Sequence, residues 1–310
     1  MEPFRPFVDR LVLSLSLTKF EHEEKMKVLR TKQEVSAWAD EQHKNGLKIG
    51  LVPTMGYLHE GHLSLMRIAR ANADAVIVSI FVNPTQFGPN EDFEKYPRDE
   101  KRDLALCEAE GVAAVFAPES SEMYCKDSSV VLQENKLSKV MCGISRPIHF
   151  SGVLTVVNKL FNISRADVAV FGQKDAQQLS IIRRMVRDLD MPIKLIGAPI
   201  VREPDNLAMS SRNTYLSAED RAAALNISKT LLSLQSDWAK NSSWTTQQIK
   251  QYIVDGIEGG SCGYVKLEYV AIVDADTLEE RGEAMGLQAN TLVAIAAQVG
   301  KTRLIDNILL

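Results

Sequence analysis

The chain has no Cys-x-x-Cys pair: its four cysteines, Cys107, Cys125, Cys142 and Cys262, are scattered. That spacing argues against a disulfide framework and against a cysteine metal site, and it reads as reduced thiols in a cytoplasmic compartment. Positive charge is not in excess either, since 36 Lys and Arg stand against 40 Asp and Glu and leave −4. A nucleic-acid partner held on a basic face is therefore not expected, although a local phosphate site remains open. No apolar run approaches the roughly 18 residues needed to cross a bilayer, so no membrane partner is expected. The apolar stretch at 11–17 is interrupted by serines and followed by Glu21, Glu23 and Glu24, without a small-residue cleavage site. Residues 1–27 are read as an N-terminal extension of open structure, with a secretory signal not expected and organelle targeting left open. Internal repeats, a P-loop and a Gly-x-Gly-x-x-Gly fingerprint are also missing.

What is present is a chain of 310 residues, 45% hydrophobic and 25% charged, long for one domain and comfortable for two. From about Val28 to Pro199, β-rich runs alternate with amphipathic patterns. They predict strands over 49–52, 75–82, 113–117, 168–171 and 193–196, and helices over 31–45, 59–72, 98–110, 152–163 and 176–189. A run as apolar as 75–82, AVIVSIFV, suits a parallel sheet covered on both faces. The expected fold over 28–202 is an α/β, Rossmann-like doubly wound parallel sheet, with ligands at the carboxyl ends of its strands. After Met209-Ser210-Ser211-Arg212-Asn213 the texture changes. Ser217 and Asp220 mark a helix start, and helices around 221–240 and 245–258 precede strands at 265–273 and 292–297. This predicts a smaller C-terminal α+β lid domain over 203–310, joined through a polar, turn-rich stretch at 202–206 suited to a hinge.

Three polar turns fall at the same edge of the predicted sheet. In the first, Met55-Gly56-Tyr57-Leu58-His59-Glu60-Gly61-His62, two histidines three residues apart share one side of a helix start. Free backbone N–H groups and the helix dipole make that start a phosphate site. A protonated imidazole there would stabilise charge on a departing pyrophosphate. The spacing is one residue short of the metalloprotease His-Glu-x-x-His. The second turn carries Gln86, whose planar amide suits a hydroxy acid but which in isolation is turn chemistry around Asn83-Pro84. In the third, Gly172-Gln173-Lys174-Asp175, Lys174 fits a phosphate and Asp175 a ribose hydroxyl pair. Taken alone, these two are a solvated charge beside an N-cap, and Gln177 and Gln178 are surface residues. Gln178 lies one helical turn beyond Lys174 and reaches the same cleft. In the loop Met209-Ser210-Ser211-Arg212, two hydroxyls and a guanidinium fit a clamp on β- and γ-phosphates.

Together the motifs resemble the pantothenate synthetase (pantoate–β-alanine ligase) family, in order, from about Val28 to the C-terminus. His59-Glu60-Gly61-His62 resembles that family's form of the HIGH motif of nucleotidyltransferases and class I aminoacyl-tRNA synthetases. Met209-Ser210-Ser211-Arg212-Asn213 takes the place of the KMSKS loop. The resemblance implies that ATP activates D-pantoate to an enzyme-bound pantoyl adenylate, which the amine of β-alanine then attacks. It implies His62, His59, Lys174 and Arg212 as catalytic, with Met55 to His62, Gly172 to Asp175, Val201 and Met209 to Arg212 binding ATP. Gln86 and Gln178 would hold pantoate, and Gln86 would also border β-alanine. Mg²⁺ accompanying the nucleotide and a homodimer formed through the larger domain are further implications, with Asp103 a candidate contact to the metal through water. Asn206 stands where the family has Gly; asparagine tolerates left-handed backbone, so the hinge should survive the exchange.

Other readings make different demands. A nucleotidyltransferase acting on a phosphorylated substrate keeps the histidine turn but needs neither Gln86 nor Gln178. An aminoacyl-tRNA synthetase needs more room for tRNA than about a hundred C-terminal residues and a net negative charge provide. A dead ATP-binding regulator would be expected to have lost some of His59, His62, Lys174 and Arg212.

Overall fold

The runs richest in Val, Ile and Ala become parallel strands. The protein is described by a computed structural model covering residues 25–89, 91–238, 244–261, 263–282 and 290–310. In chain order the first part comprises β1 (Lys27–Leu29), α1 (Lys32–Lys44), β2 (Ile49–Thr54), α2 (Glu60–Arg70), β3 (Ala75–Ile80), α3 (Glu100–Ala109) and β4 (Ala114–Phe116). Then follow α4 (Ser120–Met123), α5 (Cys142–Ser145), α6 (His149–Ser164), β5 (Val168–Gly172), α7 (Ala176–Asp188) and β6 (Lys194–Ala198). The six strands form one parallel sheet in the order β1-β4-β3-β2-β5-β6.

Side chains alternate across that sheet. Ile49, Leu51 and Ile77 face α1, α6 and α7, in a core with Trp38, Leu160 and Ile182. Val52, Val76 and Val78 face α2 and α3, with Met66, Ala69 and Cys107. Both faces are covered, as the apolar runs predict, and the fold is a doubly wound α/β sheet. Because β2 lies between β3 and β5, the strand order reverses there, and the crevice beyond their carboxyl ends is where such sheets bind ligands.

The second part comprises α8 (Ala218–Trp238), α9 (Thr246–Ile257), β7 (Val265–Asp274), β8 (Thr291–Val299) and β9 (Thr302–Leu309), the strands forming an antiparallel sheet in that order. Ser217 Oγ accepts the Asp220 N–H at 3.0 Å, which starts α8 where expected. The end of the expected 221–240 helix, like Cys262 and most of 1–27, lies outside the described residues. One sheet face packs on α8 and α9 through Val293, Ile295, Leu304 and Ile308. The other, through Ala271, Val273, Leu292 and Ala294, joins the same apolar cluster as α6 and α7. One core thus runs across the expected boundary.

The 202–206 stretch is a tied turn rather than a loose connector. Arg202 and Ala208 form a bridge, and Asn206 sits at φ +71°, the left-handed backbone its residue type tolerates. Arg202 forks onto Asp306 at 2.7 and 3.0 Å, and Arg221 holds Asp205 at 2.7 Å, so the turn is fixed to the C-terminal part.

Candidate active site

At the carboxyl end of β2 the chain turns through Gly56 at φ +80°, where a Cβ would lie 2.9 Å from Asp103 Oδ2. Asp103, on α3 and 1% exposed, accepts the Tyr57 N–H at 2.7 Å and the Leu58 N–H at 2.8 Å with its two oxygens. Burial pushes its carboxyl above the usual carboxylate range, the two N–H bonds opposing. Both oxygens are thus occupied and buried, and Asp103 shapes the turn. Among the described residues no cluster of three or more His, Cys, Asp or Glu could hold a metal ion.

The turn delivers His59 to the start of α2, and its N–H donates to His62 Nδ1 at 3.3 Å, with ring centroids 4.0 Å apart. Gly61 leaves room for the His59 ring, which a Cβ there would meet at 2.9 Å. His59 Nδ1 is buried without a hydrogen-bond partner, an arrangement that awaits a ligand. Burial, reinforced by the nearby Lys174 charge, lowers the His59 imidazole to about 4. Burial, then His59 and Lys174, take His62 well below its ordinary value. Without a ligand both rings are thus held toward the neutral form, and the expected protonated imidazole requires a negative group beside them.

After β3, Gln86 is buried, and its Nε2 donates to Met55 Sδ at 3.1 Å while its Oε1 accepts from Asn83 Nδ2 at 3.1 Å. Asn83 also donates to the Gly152 carbonyl at 3.1 Å and accepts from Tyr124 Oη at 2.8 Å. Gly152 permits this contact, because a Cβ would lie 2.4 Å from the Thr85 oxygen. His149 Nδ1 lies 2.9 Å from the Gln86 carbonyl oxygen. Asn83 belongs to the turn the sequence singles out, whereas the supports Tyr124, His149 and Gly152 escape sequence reading, the only hint being a glycine within the apolar helix pattern.

After β5, Lys174 Nζ lies 3.3 Å from Asp175 Oδ2. Burial raises the Asp175 carboxyl, but the Lys174 charge and hydrogen bond outweigh it and hold it below the usual range. Asp175 is the N-cap residue of α7 by position, yet makes no capping hydrogen bond. Gln177 is not a surface residue: it is 4% exposed and pins the segment before α5, accepting from Cys142 N and donating to the Leu137 and Val140 carbonyls. On the fourth side, Arg212 forks onto Asp92 at 2.8 and 2.9 Å and lies 5.5 Å from the Tyr96 ring. Ser211 Oγ donates to the Tyr57 carbonyl at 3.2 Å, tying this loop to the histidine turn.

These elements enclose a cavity of about 220 Å³. Met55, His59, Gly61, His62, Gly172, Lys174, Asp175, Val201, Met209, Ser210, Ser211 and Arg212 line it, together with Gln86 and Gln178. Lys174, Asp175, Gln178, Ser210 and Arg212 also border an outer cleft of about 700 Å³ facing the C-terminal sheet. Five expected contacts do not line the cavity. Leu58 is wholly buried core, Gln173 is exposed, and Gly56 and Tyr57 act through the turn's backbone. Glu60 pairs with Arg67, two helical turns on and on the outer face of α2. The sequence did not single out the apolar wall of Phe81, Val153, Val156, Val157 and Leu160.

A reversed-order parallel sheet with a histidine-lined helix start at its crevice defines a Rossmann-like, ATP-binding class of ligase. Within that class the chain belongs to the pantoate-beta-alanine ligase family, whose model matches residues 27–309. It is 52% identical over 285 residues to the pantothenate synthetase of Thermotoga neapolitana, covering 92% of this chain and 100% of that protein. The crystal structure of pantothenate synthetase from Thermus thermophilus superimposes with a TM-score of 0.84 at 39% identity, over 92% of this chain and 99% of that one. The pantoate-beta-alanine ligase from Francisella tularensis, solved with Beta-gamma ATP and Beta-alanine, gives a TM-score of 0.74 at 32% identity, over 92% and 97%.

Proposed function

We propose that this protein condenses D-pantoate with β-alanine at the expense of ATP, through a pantoyl adenylate. The observation that carries the reading is the cavity in which His59, His62 and Lys174 face Gln86 and Gln178 beside an apolar wall. A pantoate carboxylate oxygen attacks the α-phosphorus of ATP, the bond to the bridging oxygen breaks, and pyrophosphate leaves. The β-alanine amine, unprotonated, then attacks the acyl carbon; AMP departs, and the amine's second proton is released. Gln86 and Gln178 hold the acid's polar groups, and the branched apolar residues take its alkyl part. His59, His62, Lys174 and Arg212 stabilise charge on the transferring phosphorus and the departing pyrophosphate. Mg²⁺ would be held by the nucleotide phosphates and would neutralise part of their charge.

A homodimer formed through the larger part is proposed as well; Val130 and Val131 there are 82% and 68% exposed, supporting a covered face. A cytoplasmic setting is supported by the free thiols of Cys107, Cys125 and Cys142. The test is pyrophosphate and AMP release from ATP and Mg²⁺ with D-pantoate, with and without β-alanine. Equimolar AMP and pantothenate, requiring both acids, is the expected result. Absence of pantoate-dependent release would overturn the reading.

A further inference from the structure

The face of β9 turned to the first part carries Arg303, Ile305 and Asn307, by the alternation of a strand. Ile305 packs into the shared core. Asn307 does something more specific: 6% exposed, it donates from Nδ2 to the Gln173 carbonyl at 3.0 Å and to the Lys174 carbonyl at 2.9 Å. An amide nitrogen has two protons, and both are spent on the turn that presents Lys174. The residue is anchored in its turn, because its own N–H donates to Asp306 Oδ1 at 2.8 Å. Asp306 in turn receives the Arg202 fork, and Arg202 follows the cavity residue Val201 directly.

We propose that Asn307 is a positioning residue for Lys174, so that the C-terminal sheet sets the lysine's place before any nucleotide binds. The inference rests on the reading that Lys174 meets the phosphates of ATP. Two carbonyls held by one planar amide fix the peptide planes on either side of Lys174, and hence the direction of its side chain. The contact also ties the C-terminal sheet, which shares a core with the first part, to the floor of the site.

Asn307→Leu removes both donors at similar volume, and Asn307→Asp keeps the shape while turning a carboxylate toward two carbonyls. ATP affinity of the intact protein, read by titration calorimetry, should weaken about 10-fold or more in either variant, since misplacement by an ångström is costly at such sites. In a Lys174→Ala background the same substitutions should change ATP affinity less than about twofold, because coupled residues are not additive. Ile308→Ala, on the opposite face of the strand and packed with α8 and α9, should lower Tm and leave ATP affinity unchanged. A lowered Tm with unchanged affinity in both Asn307 variants would overturn the proposal, as would equal weakening with and without Lys174. If Asn307→Leu fails to fold, Asn307→Asp decides by the same criteria. Calorimetry with ATP alone does not involve pantoate, so failure of the condensation assay leaves this result standing.

Discussion

Two walls of one cavity are built by opposite means. The Met55–His62 wall is fixed by backbone: Asp103 takes two N–H groups of the turn, and burial keeps its imidazoles neutral. The Met209–Arg212 wall is fixed by charge, with Arg212 already forked onto Asp92. A phosphate arriving at the first wall finds unpaired polar atoms and a helix start, and it supplies the charge they lack. At the second wall it must compete with a carboxylate. On the proposed function, binding at the histidines would come first, with Arg212 exchanging Asp92 for phosphate as charge develops.

If the first wall carries the chemistry, His62→Ala gives the largest effect. Pyrophosphate release should fall on the order of 10²–10³-fold, the usual loss for one charge-stabilising donor. Arg212→Ala should cost less in the same assay; the reverse ranking would break the comparison. Asp103→Asn comes next. An amide offers one acceptor for two N–H groups, so stability should drop by about 1–3 kcal/mol and release slow about 10-fold. Thermal unfolding and initial rates check both. Raising Mg²⁺ should not restore the rate, and full rescue by Mg²⁺ would return Asp103 to the role of a metal contact.

Much of this was legible in the chain because the signals were local. The runs at β2, β3 and β5 are apolar on both faces, and the histidine turn, the Gln86 turn and the Ser-Ser-Arg loop each follow a recognisable element. Left-handed Asn206 could likewise be foreseen from its residue type. What escaped was non-local or too short. β1 has three residues and is defined by its pairing with β4. In β9, buried Asp306 and Asn307 interrupt the apolar pattern because they bond across the molecule. Asp103 reaches its turn from 46 residues away, and that distance hides its task. Motif membership also does not tell that Leu58 is turned into the core or that Glu60 pairs with Arg67 along α2. The protonation of His59 and His62 depends on burial, which spacing does not reveal.

The second wall is sharpened by Asp92→Asn. With the opposite charge removed, half-buried Arg212 keeps only an amide acceptor and the Tyr96 ring, and stability without ligand should fall by about 1 kcal/mol. The rise in Tm on adding saturating ATP should then exceed that of the unaltered protein, because phosphate replaces the missing carboxylate. An equal rise in both would mean that Arg212 keeps away from the nucleotide.

The smallest effect separates the walls by pH. His59 and His149 lie near 4 in the folded protein, both chiefly through burial, whereas an unfolded histidine titrates near 6.5. Between these values the unfolded chain binds more protons, so stability is full above about pH 6.5 and is lost as pH falls toward 4. Each such group adds a slope of up to about 1.4 kcal/mol per pH unit. His149 faces the Gln86 carbonyl with Arg146 and Glu91 beside it and does not line the inner cavity, whereas His59 does. ATP should therefore raise the His59 value toward the ordinary one and leave His149 where it is. Stability measured from pH 7 to pH 5 should fall less steeply with saturating ATP, by up to two groups' slope since His62 shares the cavity, and ATP should flatten the slope less in His59→Asn, where His62 alone responds. The same flattening in His59→Asn as in the unaltered protein would mean that the phosphate charge does not fall on His59.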